Sequence, residues 1–192
     1  GSAGTIIFLG SDGVLNLNGG TTSLTAAVLT GATVTVAGDI NVGAANYGLI
    51  NAPIIFENTP GGGAEVLVNG TLELSNTAVY RGGSHTGSGR LIWDGNVTVE
   101  GDTTIDVASL DLDGFVPLAT LQVNNNVSLT VNSAITDAPS GTINLLGSLL
   151  VNGGNWTNDT GTIILSTGTI GGSSSFTNLA TLNVLGGDSQ IT

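Results

Sequence analysis

A short block recurs along this chain: a glycine, then two runs of alternating apolar and small polar residues separated by a second turn residue. It reads GTINLLGSLLVNG over 141–153, GRLIWDGNVTVEG over 89–101, GAEVLVNGTLEL over 63–74 and GVLNLNGG over 13–20. Period-two alternation marks strands with one buried face, and the glycines mark where the chain turns. No window keeps apolar residues at i, i+3, i+4 and i+7, so helices are not expected. Recurring strand blocks without intervening helices bury their apolar faces only against copies of themselves, which is the logic of a stacked β-solenoid.

The composition agrees with coil stacking. Hydrophobic residues make up 40% of the 192 residues but aromatics only 4%, so the interior must be built from Val, Ile, Leu and Ala. Charged residues are 8%, against about 25% in ordinary globular domains. In a parallel stack, surface residues of successive coils lie about 4.8 Å apart. Two like charges at that spacing repel by about 1 kcal/mol even in water, whereas Thr, Ser and Asn form hydrogen-bonded ladders. The net charge of −12, from fourteen acidic residues against Arg81 and Arg90, argues against binding to nucleic acid or an anionic membrane, which needs clustered Lys and Arg. The absence of cysteine excludes disulfides and thiolate chemistry. No run of about twenty apolar residues supplies a membrane span, and the scattered Trp, Tyr and Phe form no girdles of the kind a transmembrane barrel carries. With no Met, the chain is expected to be a piece of a longer protein, and Gly1-Ser2 fits a cloning remnant.

Strand runs are expected at 5–9, 14–17, 33–36, 54–57, 65–68, 71–74, 90–93, 96–100, 104–107, 120–123, 128–131, 142–145, 149–151, 162–165 and 181–184. They imply coils of roughly 20 to 30 residues, on the order of seven to nine irregular turns. Gly141 and Gly161 stand 20 residues apart but Gly89 and Gly141 stand 52 apart, so loops are expected to bulge at 43–53, 58–63, 80–89, 110–117 and 134–140, where Pro, paired Gly and charges gather. No composition shift divides the chain, so residues 1–192 are read as one solenoid segment.

Blocks such as GTINLLGSLLVNGGNW and GTIILSTGTIGGSSSFTNLATLNV resemble the degenerate β-helical repeats of large bacterial surface proteins, the autotransporter passengers and filamentous-haemagglutinin-like exoproteins. The resemblance covers most of the chain and implies a right-handed parallel β-helix with an exported, adhesin-like role. Its motifs are periodic and compositional, so it assigns no functional residue.

Candidate chemistry is sparse. His85, the one histidine, sits among serines beside Arg81, but a Ser/His pair in a glycine-flanked loop is too common to define a nucleophile and base. Asp94, Glu100, Asp102 and Asp106, followed by Asp111 and Asp113, could face one another from adjacent coils as in polysaccharide-cleaving β-helices, whose lyase form needs Arg81 or Arg90 beside the acids. Solvated turn residues explain the same pattern. Asp111-Leu112-Asp113-Gly114 begins like a calcium loop but continues with Phe115 and Gln122 where ligands belong, and Gly186-Gly187-Asp188-Ser189 occurs once where calcium rolls need tandem copies. Thr33-Val34-Thr35 suggests an ice-binding ladder that Thr71-Leu72-Glu73, Asn96-Val97-Thr98 and Ser128-Leu129-Thr130 would break. Trp93 and Trp156 could stack on sugars, Trp156 being expected as the more exposed.

The expectation is therefore a non-catalytic rod or adhesin segment of a secreted or surface-displayed bacterial protein. No catalytic, cofactor-binding or metal-binding residue is assigned. Expected partners are host or cell-surface glycans or proteins, and further repeats of the same protein at the coil ends. The alternative is a carbohydrate-active β-helix such as a phage tailspike-like depolymerase.

Overall fold

The computed structural model describes residues 33–59, 62–63, 65–112, 120–137 and 140–192, together with the backbone of the strands Ile7–Phe8, Val14–Leu17, Thr21–Leu24 and Ala27–Thr30. Side chains are described for 33–57, 65–112, 120–136 and 140–192. The chain is an all-β solenoid. Each turn lays down one strand on each of three faces, and successive turns pair in parallel. Sheet I has seven strands, from Ile7–Phe8 to Ala134–Asp137; sheets II and III have nine each, from Val14–Leu17 to Thr181–Val184 and from Thr21–Leu24 to Gln190–Ile191. In the last two turns Trp156–Asn158 and Phe176–Asn178 pair with each other, holding the place in chain order that sheet I holds earlier.

Alternation fixes which side chains enter the interior. Strands such as Thr33–Val36, Thr142–Leu145 and Ser148–Val151 bury every second residue, and the register sets those residues in files along the stack. Val36, Phe56, Tyr80, Val99, Val123, Leu145 and Leu165 form one file of sheet II; Leu129, Leu149 and Ile170 form one of sheet III. Val97, Val99, Leu129, Val131, Leu149 and Val151 are all buried. Each aliphatic side chain so buried contributes about 1.5–3 kcal/mol of transfer free energy.

Each corner takes only a few residues, and two glycines show why. Gly87 and Gly172 follow sheet III strands with φ of 128° and 120°, and a Cβ on either would fall 2.2 Å from the carbonyl oxygen of Val68 or Val151 in the preceding turn. Only glycine combines that left-handed conformation with so close an approach.

Each of the fifteen expected strand runs overlaps a strand, the first being described only at Ile7–Phe8, but the coil assignment slips. The 89–101 block spans sheets I and II, the 141–153 block sheets II and III, and the 63–74 block sheets III and I. All three corners use the same chemistry, so blocks that look alike in sequence occupy different corners. The interval from Gly89 to Gly141 is therefore not two long coils. Register partners stand 19 residues apart at Ala78 and Val97, and 24 apart at Val97 and Leu121.

Most expected bulges are strands. Within 43–53, the tight turn closed by the Asn46 N–H donating to the Gly43 carbonyl leads into Tyr47–Asn51; within 80–89 lies Gly83–Thr86. Residues Leu110 and Asp111 belong to Ser109–Asp111, and most of 134–140 is Ala134–Asp137, paired through a register shift between Leu110 and Asp111. Among the described residues of these ranges, Asn58–Thr59 and Gly62–Gly63 leave the three main sheets and pair antiparallel with each other. The rest of 113–117, including Asp113, Gly114 and Phe115, lies outside the described residues.

Candidate functional site

The outer side of sheet I departs from the pattern. Outward side chains on the other described strands are partly or fully exposed, but Glu73, Ile92 and Asp111, stacked in one outward file, are 6%, 3% and 0% exposed. Polar groups buried this way need partners. The Tyr47 hydroxyl donates to Glu73 Oε2 from the preceding turn, and Arg90 Nη2 donates to Asp111 Oδ2 of the following one. Burial, then the hydrogen bond to Glu73 and that residue's charge, push the Tyr47 phenol above its ordinary range, so it stays protonated and donating. Asp94, buried at the next corner, adds to the same shift. Glu73 and Asp111 are two rungs apart with Ile92 between, roughly 9–10 Å along the stack.

Beside this cluster, at the corner from sheet III to sheet I, runs a groove of about 480 Å³ lined by Ala45, Asn46, Tyr47, Asn69, Gly70, Thr71, Ser88, Gly89, Arg90, Ala108 and Ser109. Ser88 donates from its N–H (3.1 Å) and hydroxyl (3.2 Å) to Asn69 Oδ1, which tethers one turn of the groove wall to the next.

The expected acidic constellation does not converge. Asp94 and Asp111 lie on the sheet I side, but Glu100 accepts from Arg81 Nε at 3.1 Å at the end of a sheet II strand, Asp102 accepts from the Ser128 N–H at 2.8 Å, and Asp106 is exposed on sheet III. Arg81 also donates to Glu57 at 2.6 Å, so it stands between carboxylates of the turns on either side. Glu100 and then Glu57 hold its guanidinium above the ordinary value. Both arginines thus neutralise carboxylates of neighbouring rungs. Glu73 and Tyr47 carried no sequence signal, since they meet across 26 residues only through stacking.

His85 is not a loop residue. It points into the interior, 1% exposed, in a sheet III file between Val66 and Ile105. Its ring stands edge-on to Phe56 and Tyr80, at centroid separations of 4.9 and 5.2 Å. Neither ring nitrogen has a hydrogen-bond partner, and burial pushes the imidazole down to about 3, so it is neutral and screened from any substrate. Trp156, expected at the surface, is 3% exposed and stacks on Phe176 at 4.5 Å; Trp93 is fully buried and donates to the Tyr80 hydroxyl at 3.0 Å. Trp93 joins Phe56, Tyr80 and His85 in one aromatic cluster inside an otherwise mostly aliphatic interior.

Asp111, at the start of the calcium-like run, is paired with Arg90; Asp113, Gly114 and Phe115 lie outside the described residues, and Gln122 lies on a sheet II strand, where its amide donates to Asn124 Oδ1 at 2.8 Å. The 186–189 run is a turn in which the Ser189 N–H donates to the Gly186 carbonyl at 3.3 Å. No group of three or more His, Cys, Asp or Glu among the described residues is placed to share a metal ion. The threonine comparison also needs correction. Thr71 and Ser128 lie on sheets I and III, so they are not counterparts of Thr33; Asn96 lies on the same sheet II as Thr33 and does interrupt the row, but beyond it Thr120, Thr142, Thr162 and Thr181 form an outward threonine file of sheet II.

Compared with protein-family profiles, curated proteins and solved structures, the chain matches none. No helix among the described residues is long and apolar enough to cross a membrane.

Proposed function

We propose that this chain is a non-catalytic rod segment of a secreted or surface-displayed bacterial adhesin-like protein, built to be continued by further solenoid turns. The observation that carries this reading is the register of the last turn. Leu182, Val184 and Ile191 sit directly beneath Ile163, Leu165 and Ile170 in the interior files, yet Val184 and Ile191 are 55% and 52% exposed. Thr181–Val184 and Gln190–Ile191 are the outermost strands of their sheets. A face of this kind, apolar and with an open strand edge, fits another turn in the same register.

The test is an added turn. Because Thr169 and Ile170 pair with Gln190 and Ile191, a copy of residues 172–192 appended after Thr192 continues the files. It should raise the denaturant midpoint and increase the strand signal in circular dichroism, as nearest-neighbour stacking does in repeat proteins. An appended turn that leaves both unchanged overturns the reading.

A carbohydrate-active reading draws on one observation, the placement of Arg90 against Asp111 with Glu73 two rungs away. Both carboxylates are buried under their own partners, which suits them to holding Tyr47 and Arg90 rather than to proton transfer. Release of oligosaccharide from a polysaccharide, abolished by Glu73→Gln, would replace the rod reading with the enzymatic one.

A further inference from the structure

We infer that the groove beside Tyr47 and Arg90 binds a linear, uncharged glycan lying along the solenoid axis; this rests on the adhesin reading and assigns it a site. The groove crosses four successive turns, through Asn46 and Tyr47, Asn69, Ser88 and Arg90, and Ser109, a span of about 14 Å at the spacing of stacked strands. Equivalent positions therefore repeat at about 4.8 Å, close to the rise of one pyranose in an extended chain, so successive sugars meet successive rungs.

The lining suits sugar hydroxyls. Asn69 Oδ1 is taken by Ser88, which leaves the amide N–H groups as the donors it offers, and the Ser and Thr hydroxyls both donate and accept. Arg90 directs one N–H at Asp111 and keeps about half of its side chain exposed, at 47%, with further donors in its planar fork. Tyr47 supplies the apolar element. Its hydroxyl is anchored on the buried Glu73, so its ring, 40% exposed, is held at the rim before any ligand arrives, and a fixed aromatic ring loses little entropy when a sugar face packs on it.

Charge selects the class. Asp111 offsets Arg90 and the chain carries −12 overall, so an acidic glycan or a nucleic acid is repelled, while an uncharged one is not. A second groove, of about 370 Å³ and lined by residues from Asn125 to Thr169, holds only amide, hydroxyl and small aliphatic groups with no aromatic or charged side chain, and it serves as the internal control.

The test titrates the intact chain with soluble uncharged linear polysaccharides (β-glucan, mannan, xylan, galactan) and with alginate and polygalacturonate as acidic counterparts, by calorimetry. At least one uncharged polymer should bind and the acidic ones should not. Tyr47→Ala should weaken binding at least tenfold and Ser109→Trp, which fills the groove, should abolish it. Thr167→Trp in the second groove should change it less than twofold, and all three variants should keep the parent's strand signal in circular dichroism at the titration temperature. Binding that survives both Tyr47→Ala and Ser109→Trp overturns the site while leaving the adhesin reading in place. Binding of the acidic polymers alone, or of no polymer, overturns the glycan class, and the rod reading then stands or falls on the appended turn.

Discussion

Arg90 on one rung of sheet I donates to Asp111 on the next, so a carboxylate with no solvent exposure is neutralised by a guanidinium that keeps half of its surface in water. The register puts Arg90 level with Ser109 and Ile92 level with Asp111, and the long arginine side chain spans the diagonal. Arg81 does the same between Glu57 and Glu100 on the outside of the coil. The two sites differ in burial, and that difference sets their energetic weight.

Arg90→Ala leaves Asp111 buried without this cation, and it should lower unfolding free energy by about 2–3 kcal/mol, at or just below the lower end of the range for a broken buried pair because one partner is half-exposed. Arg81→Ala removes a surface pair and should cost less than about 1 kcal/mol. Parallel denaturant titrations check the ranking. Equal losses would show that Asp111 is solvated.

His85 makes stability depend on pH. Its folded-state value of about 3 lies below the ordinary 6.5 because burial disfavours the charged ring. The unfolded chain therefore binds more protons across that window, stability rises with pH through it, and the contribution is complete above about 6.5 and lost as pH falls towards 3. The loss is on the order of 3–5 kcal/mol at about 1.36 kcal/mol per pKa unit. His85→Leu should remove this part of the acid sensitivity, leaving only that of the carboxylates. It should also raise stability at pH 7 by about 1–2 kcal/mol, since both ring nitrogens are buried without partners. Denaturant midpoints of the two chains from pH 3.5 to pH 7.5 measure both effects; parallel pH curves would contradict the burial.

Leu149 stands between Leu129 and Ile170 in an interior file, whereas Asn152 is an exposed corner residue that donates to Asn132 Oδ1 at 3.1 Å and accepts from Ser173 N–H at 3.0 Å. Leu149→Asp should cost at least about 3 kcal/mol or prevent folding, because it inserts an unpaired carboxylate between aliphatic neighbours. Asn152→Asp keeps the acceptor and should cost less than about 0.5 kcal/mol. If the first variant fails to fold, soluble yield and circular dichroism of the pair give the same comparison. Similar behaviour would refute the register of Ser148–Val151.

The sequence alone settles the strand period, the absence of helix among the described residues, the stacked architecture and the identity of most inward residues. Each of these is local: alternation decides which face of a strand is apolar, and glycine with small polar residues decides where it turns. Local pattern also led to errors where different positions share one chemistry. The corners after Trp93, Val99 and Val68, one of each kind, all read as a turn between alternating runs, so nothing along the chain says which of three faces a strand occupies. The Thr120–Thr142–Thr162–Thr181 file is invisible until the faces are known. Gly83–Thr86 reads as a loop because its one large side chain is a histidine, and only the ring space between Phe56 and Tyr80 makes that residue a core element. Tyr47 with Glu73, and Arg90 with Asp111, meet because coils of unequal length nevertheless stack in register. Burial and pairing at these positions follow from which residues lie one rung apart, and that depends on the length of every intervening loop, which only the folded stack decides.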